Sequence, residues 1–217
     1  MNILDYITSS ASILIDRASD FVRYNLSGSN DTSEADNSNR GKEVYKKRIF
    51  TPLSYLTQLE WFYGEPTFII DNIYIGSAIN ASHYGTLKNR DIAMVINMTH
   101  EISNYFQKNI EYNRFPVYDD NTQSIKQYLL KAYDKIIMFQ LNNHGKNILV
   151  HCFMGASRSA SVVIYYLMKK HGYTLNDAII FCRNKRALIN PTILFYEELF
   201  ELDQHNRQNR QNRLYLQ

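Results

Sequence analysis

The chain contains little cysteine. Only two of its 217 residues are cysteines, Cys152 and Cys182. This count excludes a C-x-x-C pair, a zinc-ligand cluster and the disulfide framework of small secreted domains. We therefore expect both thiols to be free and reduced, as in a cytoplasmic protein.

Long hydrophobic runs and a strongly basic surface are also missing. Nowhere do about 18 uncharged apolar residues follow one another, so no segment is typical of a membrane span. The first residues include Asp5, Asp16 and Arg17 and lack a long apolar centre, which argues against a signal peptide. The formal charge is only +3, and a dedicated nucleic-acid-binding protein has a much more concentrated basic face. Nucleic acid is therefore not an expected partner.

The apolar content is sufficient for one folded domain. Hydrophobic residues make up 45% of the chain and charged residues 21%, which is close to ordinary globular composition. A chain of 217 residues is expected to hold one core with extensions rather than two full domains.

Residues 1–25 are predicted to form an amphipathic helix. Apolar residues recur at three- and four-residue steps and share one helix face: Ile3, Leu4, Ile7, Ala11, Leu14, Ile15, Ala18 and Val22. This face could pack on its own domain, form a homodimer interface or lie on a membrane surface. The membrane surface is the weakest option, because the polar face has few Lys or Arg residues. Packing is favoured. Residues 26–60 are predicted to be a polar linker and a basic connecting segment.

Residues 61–203 show alternating strand and helix signals. Strands are predicted at 67–70, 72–76, 93–97, 110–117 and 148–150, and helices at about 124–141, 157–172, 174–185 and 191–203. This alternation predicts an α/β domain with a central, mostly parallel β-sheet flanked by helices, preceded by the N-terminal helical extension. Residues 204–217 repeat Gln-Asn-Arg and are predicted to be a flexible polar tail.

The stretch VHCFMGASRSAS, which begins at Val150, combines a cysteine and an arginine with small residues between them. A strand ending at Val150 and a helix starting near Ser157 would aim the backbone N–H groups of the turn at one point, which attracts an anion. Gly155 and Ala156 leave space for the ligand. Arg158 can hold two oxygens of a phosphate at once. These features predict a phosphate-binding loop.

The same positive field favours a thiolate at Cys152, which would then lie beneath a bound phosphorus atom as a nucleophile. Ser159 could donate a hydrogen bond to the sulfur and stabilise it as a leaving group. His151 is expected to support the loop rather than to transfer a proton.

Two further kinds of site fit this stretch less well. A Walker phosphate loop requires G-x-x-x-x-G-K-[ST], which is missing. A cysteine protease requires a distant histidine base, and neither His100 nor His144 lies in a suitable motif. A purely structural interpretation, in which a buried cysteine lies beside an unrelated arginine, would not explain the glycine and the hydroxyl residues of the stretch. Cys182, in contrast, lies on the apolar face of a predicted helix and is expected to be a core residue.

The pattern HCxxGxSRS, which begins at His151, resembles the signature loop of dual-specificity protein phosphatases, in the cysteine-dependent protein tyrosine phosphatase superfamily. The stretches DNIYIGSAINAS, VINMT, FPVYDD and RALINP are similar to other landmarks of that family and occur in the same order. The chain resembles the small atypical members, because about 60 residues upstream are too few for a regulatory domain of usual size. One departure is Thr192, which stands where many relatives have an asparagine that braces the loop.

The resemblance implies hydrolysis of phosphotyrosine, phosphoserine and phosphothreonine without a metal or cofactor. Asp119 in FPVYDD matches the general acid of the family, and Asp120 is its neighbour. In the implied reaction Cys152 forms a phosphocysteine, Asp119 protonates the leaving oxygen, and Asp119 then deprotonates the attacking water. The charge on the phosphate would be stabilised by a loop made of Phe153, Met154, Gly155, Ala156, Ser157 and Arg158.

The substrate class is less strongly indicated. The loop contains no lysine, whereas relatives that act on inositol phospholipids often have extra positive charge there, so phosphorylated proteins are the expected substrates. An RNA 5′-phosphatase of the same fold is one alternative. The other is a non-catalytic domain that binds phosphoproteins, although the presence of Cys152, Arg158 and Asp119 argues against it.

Overall fold

The computed structural model describes residues 55–120 and 122–215. The helix predicted for residues 1–25 and most of the predicted linker lie outside this part of the chain. The described helices and strands are α1 (Tyr55–Tyr63), β1 (Thr67–Ile70), β2 (Ile73–Gly76), α2 (Ala78–Ser82), α3 (Tyr84–Asn89), β3 (Ile92–Asn97), β4 (Glu111–Arg114), α4 (Lys126–Asn142), β5 (Asn147–His151), α5 (Arg158–Lys170), α6 (Leu175–Lys185) and α7 (Ile193–Tyr215).

Within the described residues, the strands form one five-stranded sheet in the order β1-β2-β5-β3-β4. β1 pairs with β2 in antiparallel fashion, and the other neighbouring strands are parallel. The predicted α/β fold with a mostly parallel sheet is thus confirmed. Because β2, β5, β3 and β4 run in the same direction, their carboxyl ends at Gly76, His151, Asn97 and Arg114 lie along one edge, where ligands bind in folds of this type.

Both faces of the sheet are covered. Val95 and Leu149 lie in a buried cluster with residues of α2 and α3 on one face. Ile75, Val150 and Ile96 are in register across three strands, and they point to the other face, because neighbouring residues of a strand alternate between faces. Burial on both faces explains why the central strands are almost continuously apolar.

Helix α5 is buried over most of its length, which agrees with the sequence-based prediction. Every residue from Arg158 to Met168 is buried, and the helix packs against β2, β5, α4, α6 and α7. Its first residue belongs to the predicted phosphate-binding loop. The loop is therefore attached directly to a helix that is buried over most of its length.

Three boundaries differ from the prediction. Residues 55–63 are helical, although the linker was predicted to extend to residue 60. The last part of the predicted strand 110–117 leaves the ladder after Arg114, because Pro116 has no N–H to donate. Helix α7 continues to Tyr215, where a flexible polar tail was predicted from residue 204.

The longer α7 has a physical basis in its side chains. The Gln-Asn-Arg repeats contain no glycine or proline that would end a helix. Arg207 donates hydrogen bonds of 2.6 and 3.0 Å to Asp203, one turn earlier in the same helix. In the described part of the chain, no helix combines the length and apolar character needed to cross a membrane.

Candidate active site

Cys152 lies at the start of the phosphate-binding loop, directly after β5, and is only 1% exposed. Its Sγ accepts hydrogen bonds from the Gly155 N–H and from the Ser159 hydroxyl, both at 3.3 Å. The predicted nucleophile therefore lies within the loop, in contact with two of its hydrogen-bond donors.

The backbone of the phosphate-binding loop is held from outside through its carbonyl groups. The carbonyls of residues 153–157 accept hydrogen bonds from the Ala78 N–H, the Arg186 guanidinium, the Asn190 N–H and the N–H and hydroxyl of Ser161. The N–H and C=O of a planar peptide unit point in opposite directions. The N–H groups of residues 154–158 therefore turn toward the inside of the loop, where they form a concavity for an anion.

Gly155 is required by its backbone conformation and by a close approach. Its φ angle is +72°, and a Cβ atom at this position would lie 2.5 Å from the carbonyl oxygen of Gly76 at the end of β2. From the sequence, the glycine was attributed to the space needed by a ligand. In the structure, the atoms that a side chain would overlap belong to β2 and to Arg186.

Arg186 supports the loop from below, a role that the sequence pattern did not indicate. It is fully buried and donates hydrogen bonds to the carbonyls of Gly155 at 2.9 Å, Met154 at 3.0 Å and Trp61 at 3.1 Å. Burial lowers the pKa of Arg186 to about 10, so the side chain is still charged at neutral pH. Its positive charge lies beneath the anion-binding concavity.

Arg158 is oriented by Glu101, a second residue that was not predicted from the sequence. Two hydrogen bonds join the two side chains, Nη1 to Oε2 at 2.8 Å and Nη2 to Oε1 at 2.7 Å. Nη1 also donates to the Val117 carbonyl at 3.0 Å. The buried Nε of Arg158 has no hydrogen-bond partner within the described chain, which leaves this donor to bind a ligand.

Glu101 lies in the loop that follows β3, residues 98–102, here called the β3 loop. Asn97 and Thr99 hold this loop by hydrogen bonds among themselves and to the Ile102 carbonyl. Burial would raise the pKa of Glu101, but the hydrogen bonds and charge of Arg158 outweigh it, and the pKa lies below its ordinary value. A signal was present in the sequence: β3 is a buried strand, and the loops that follow parallel strands meet at one edge.

The two adjacent carboxylates that follow β4 have different surroundings. Asp119 Oδ1 accepts a hydrogen bond from the Ser157 hydroxyl at 2.8 Å, and its Oδ2 lies 3.8 Å from Nε of Arg158. Asp120 Oδ1 accepts from the N–H and hydroxyl of Thr122 at 3.0 and 2.6 Å. Asp119 thus faces the phosphate-binding loop, whereas Asp120 closes a turn within its own loop.

The comparison with known proteins agrees with this geometry. The sequence model for the dual specificity phosphatase catalytic domain matches residues 73–205. This chain belongs to the dual-specificity phosphatase family. The resemblance of the sequence to the dual-specificity phosphatase family is thereby confirmed.

Individual members of this family match the same part of the chain. Protein phosphatase Slingshot homolog 2 of Homo sapiens is 38% identical over 136 residues, which cover 63% of this chain but only 9% of that protein. The structure of DUSP15 has a TM-score of 0.61 and 29% identity, covering 69% of this chain and 96% of its own. Human DUSP28 has a TM-score of 0.62 at 22% identity, covering 66% and 99%, and supports the fold alone.

His151 is fully buried, with Nδ1 3.2 Å from the Cys152 carbonyl. Since a carbonyl only accepts, Nδ1 carries the hydrogen. Burial lowers the pKa of His151 to about 4, so the ring is neutral at neutral pH. This geometry suits a support for the loop.

The departure at Thr192 does not remove the bracing of the loop, because the bracing uses backbone groups. The Thr192 N–H donates to the Ser157 hydroxyl oxygen at 3.2 Å, and the Asn190 N–H donates to the Ala156 carbonyl at 2.8 Å. Neither bond uses the Thr192 side chain.

Cys182 is fully buried in α6, as predicted for a core residue. Burial raises its pKa to about 12, so it remains a thiol. Among the residues that the structure describes, no group of His, Cys, Asp and Glu side chains is arranged to hold a metal ion.

Proposed function

We propose that this chain is a dual-specificity protein phosphatase that hydrolyses phosphotyrosine, phosphoserine and phosphothreonine through a phosphocysteine intermediate. The observation that supports it most is the arrangement of three groups around one concavity. Cys152 Sγ accepts hydrogen bonds from the Gly155 N–H and the Ser159 hydroxyl. Arg158 has a buried Nε without a hydrogen-bond partner in the described chain, and Asp119 Oδ2 lies 3.8 Å from this Nε.

In the first step, the Cys152 thiolate attacks phosphorus, an S–P bond forms and the P–O bond to the protein substrate breaks. Asp119, protonated, gives its hydrogen to the departing oxygen. The inward N–H groups of the loop and the Arg158 guanidinium stabilise the negative charge on the three remaining phosphate oxygens.

In the second step, a water molecule attacks the phosphocysteine, an O–P bond forms and the S–P bond breaks. Asp119 now takes a proton from the water, and inorganic phosphate leaves. The Ser159 hydroxyl, 3.3 Å from the sulfur, stabilises the thiolate that is regenerated.

Phosphorylated proteins are the proposed substrates and partners. The relatives whose names state an activity are protein phosphatases, and neither the RNA 5′-phosphatase nor the non-catalytic binding domain is favoured by them. The chain spans about a tenth of the length of the Slingshot relatives, so the proposal concerns the chemistry of this domain. We further propose a reducing, cytoplasmic environment, because both cysteines are free and the mechanism needs the Cys152 thiolate.

The mechanism is tested by rapid quenching with phosphotyrosine and phosphoserine peptides and 5′-triphosphorylated RNA as parallel substrates. We expect a burst of phosphate bound to Cys152 with the peptides, and loss of turnover in Cys152→Ser. Cys182→Ser, checked for folding by its melting temperature, is the matched control and should keep its activity. Turnover in Cys152→Ser, or activity on RNA alone, would contradict the proposal.

We also propose that the predicted helix of residues 1–25 packs its apolar face on a second copy and forms a homodimer, and that a polar linker joins this helix to the catalytic domain. A helix of this length is marginal by itself in water, which favours a packed state. Sedimentation should give the dimer mass for the full chain and the monomer mass for Leu14→Asp. Ser9→Asp, on the opposite predicted face, should remain dimeric. A monomeric full chain would rule out the dimer.

A further inference from the structure

An aromatic stack joins the β3 loop to the loop that carries Asp119. The rings of His100 and Tyr118 lie face to face, with centroids 3.8 Å apart and planes inclined by 25°. Tyr118 directly precedes Asp119 in the chain. The described residues between β4 and α4, 115–120 and 122–125, are here called the acid loop. The acid loop is thus in contact with the β3 loop through this pair of rings.

The same histidine also contacts the carboxylate that orients Arg158. His100 Nδ1 lies 2.9 Å from Glu101 Oε2, and this oxygen accepts the hydrogen bond from Arg158 Nη1 at 2.8 Å. The face of the His100 ring therefore contacts Tyr118, the residue before the proposed general acid. The edge of the same ring contacts Glu101, the hydrogen-bond partner of Arg158.

The backbone on each side of the stack is anchored independently of the rings. Arg114 donates to the carbonyls of His100 at 2.5 Å and Thr99 at 3.1 Å, which holds the β3 loop. On the other side, the Tyr118 N–H donates to Gln123 Oε1 at 2.9 Å. A substitution of the His100 ring should therefore break the bridge between the loops without unfolding the β3 loop.

We propose that His100 is a positioning residue that holds the acid loop closed, so that Asp119 stays beside Ser157 and Arg158. This proposal rests on the proposed phosphatase function and adds a determinant of its acid step. Stacked aromatic pairs shift such an open–closed equilibrium by roughly 2–10-fold. The stack should accordingly matter most where protonation of the leaving group limits the rate.

Three variants separate the two contacts of the ring. His100→Gln keeps a side-chain donor for Glu101 but removes the ring, His100→Phe keeps the ring but removes the donor, and Tyr118→Leu removes the other half of the stack. With a phosphoserine peptide we expect His100→Gln and Tyr118→Leu each to lower kcat by roughly 2–10-fold. With an activated aryl phosphate both should be close to wild type, since it depends less on the acid.

Further kinetic results decide the role of the stack. His100→Phe should resemble wild type, and the His100→Gln/Tyr118→Leu double variant should be no slower than either single variant, because both remove the same contact. His144→Gln, at an exposed histidine between α4 and β5, is the control and should change nothing. If the variants change only the KM for aromatic phosphates, the stack contacts the substrate instead of positioning the acid loop. If they lower kcat equally with both leaving groups, the stack acts through Arg158. Either result overturns the proposal.

Hydrogen–deuterium exchange provides a readout that does not require turnover. In His100→Gln, amides of residues 117–120 and 122–123 should exchange faster than in wild type, while those of residues 153–158 should be unchanged. Unaltered exchange in the acid loop would overturn the proposal. If wild type hydrolyses no phosphate ester, the proposed function fails, but exchange still decides whether the ring holds the loop. If the enzyme is active and faster exchange brings no leaving-group-dependent loss, the positioning role is overturned.

Discussion

At the scale of single residues, two adjacent carboxylates of the site have different hydrogen-bond partners. Asp119 accepts from Ser157 and approaches Arg158, whereas Asp120 accepts from Thr122 in its own turn. Ser157 itself accepts from the Thr192 N–H, so its hydrogen is directed to Asp119 and orients one carboxylate oxygen. This hydrogen bond holds Asp119, and not Asp120, beside the phosphate-binding loop.

Asp119→Asn should therefore lower kcat/KM by on the order of 10²–10⁴-fold with a phosphoserine peptide, whose leaving oxygen needs a proton, and far less with an activated aryl phosphate. Asp120→Asn is the matched control and should have little effect on either substrate. Steady-state kinetics with both substrates measure the difference. If Asp120→Asn shows the leaving-group-dependent loss instead, Asp119 is not the general acid.

At the scale of elements, the turn between β5 and α5 is shaped by what lies behind it. The carbonyls of the phosphate-binding loop are occupied by donors from α2, α5, Arg186 and residue 190, and β2 approaches so closely at Gly76 that position 155 has no space for a side chain. The loop is preorganised because the surrounding elements fix its peptide planes before a ligand arrives.

Gly155→Ala should destabilise the fold more than Gly145→Ala. Both glycines have positive φ, +72° and +80°, but a Cβ at Gly145 meets nothing within 4 Å. We expect Gly145→Ala to cost about 1 kcal/mol from backbone strain alone, and Gly155→Ala about 2–4 kcal/mol because overlap with Gly76 is added. Urea unfolding measures both values. Equal costs would mean that the approach of β2 does not constrain the loop.

At the scale of the whole molecule, the fold buries a neutral base next to its nucleophile. The pKa of His151 is lowered by burial from 6.5 to about 4. Below pH 6.5 the unfolded chain binds a proton that the folded chain does not, so acidification favours unfolding. The contribution of His151 to stability is therefore complete above pH 6.5 and is lost as the pH falls toward 4.

The free energy of unfolding should fall by up to about 3 kcal/mol over this interval, at about 1.4 kcal/mol per pH unit. Glu101 and Asp71, whose pKa values are also lowered, add their losses below their ordinary values of 4.5 and 3.8. Urea unfolding between pH 7 and 4.5 measures the slope. His151→Gln should flatten it, and exposed His144→Gln should retain it. Parallel curves for wild type and His151→Gln would contradict this prediction.

The sequence alone was sufficient for the features that depend on local pattern. Apolar runs predict the strands because parallel strands buried on both faces need them. Thr174 predicts the start of α6, where its side chain accepts from the Asp177 N–H as an N-cap. The order cysteine, glycine, arginine predicts an anion-binding turn, since a strand, a turn and a helix follow one another directly there.

Only the tertiary structure revealed the groups that support the loop from a distance. Glu101 and Arg158 are 57 residues apart in the chain, and Arg186 and Trp61 are 125 apart. Contacts between such distant residues depend on which strands are neighbours in the sheet and on how far each loop extends beyond the edge of the sheet. Neither property produces a periodic pattern in the sequence. The nucleophile could be predicted because the residues that surround it are consecutive in the chain. Glu101, Arg186 and the His100–Tyr118 stack could not be predicted, because only the packed sheet brings them together.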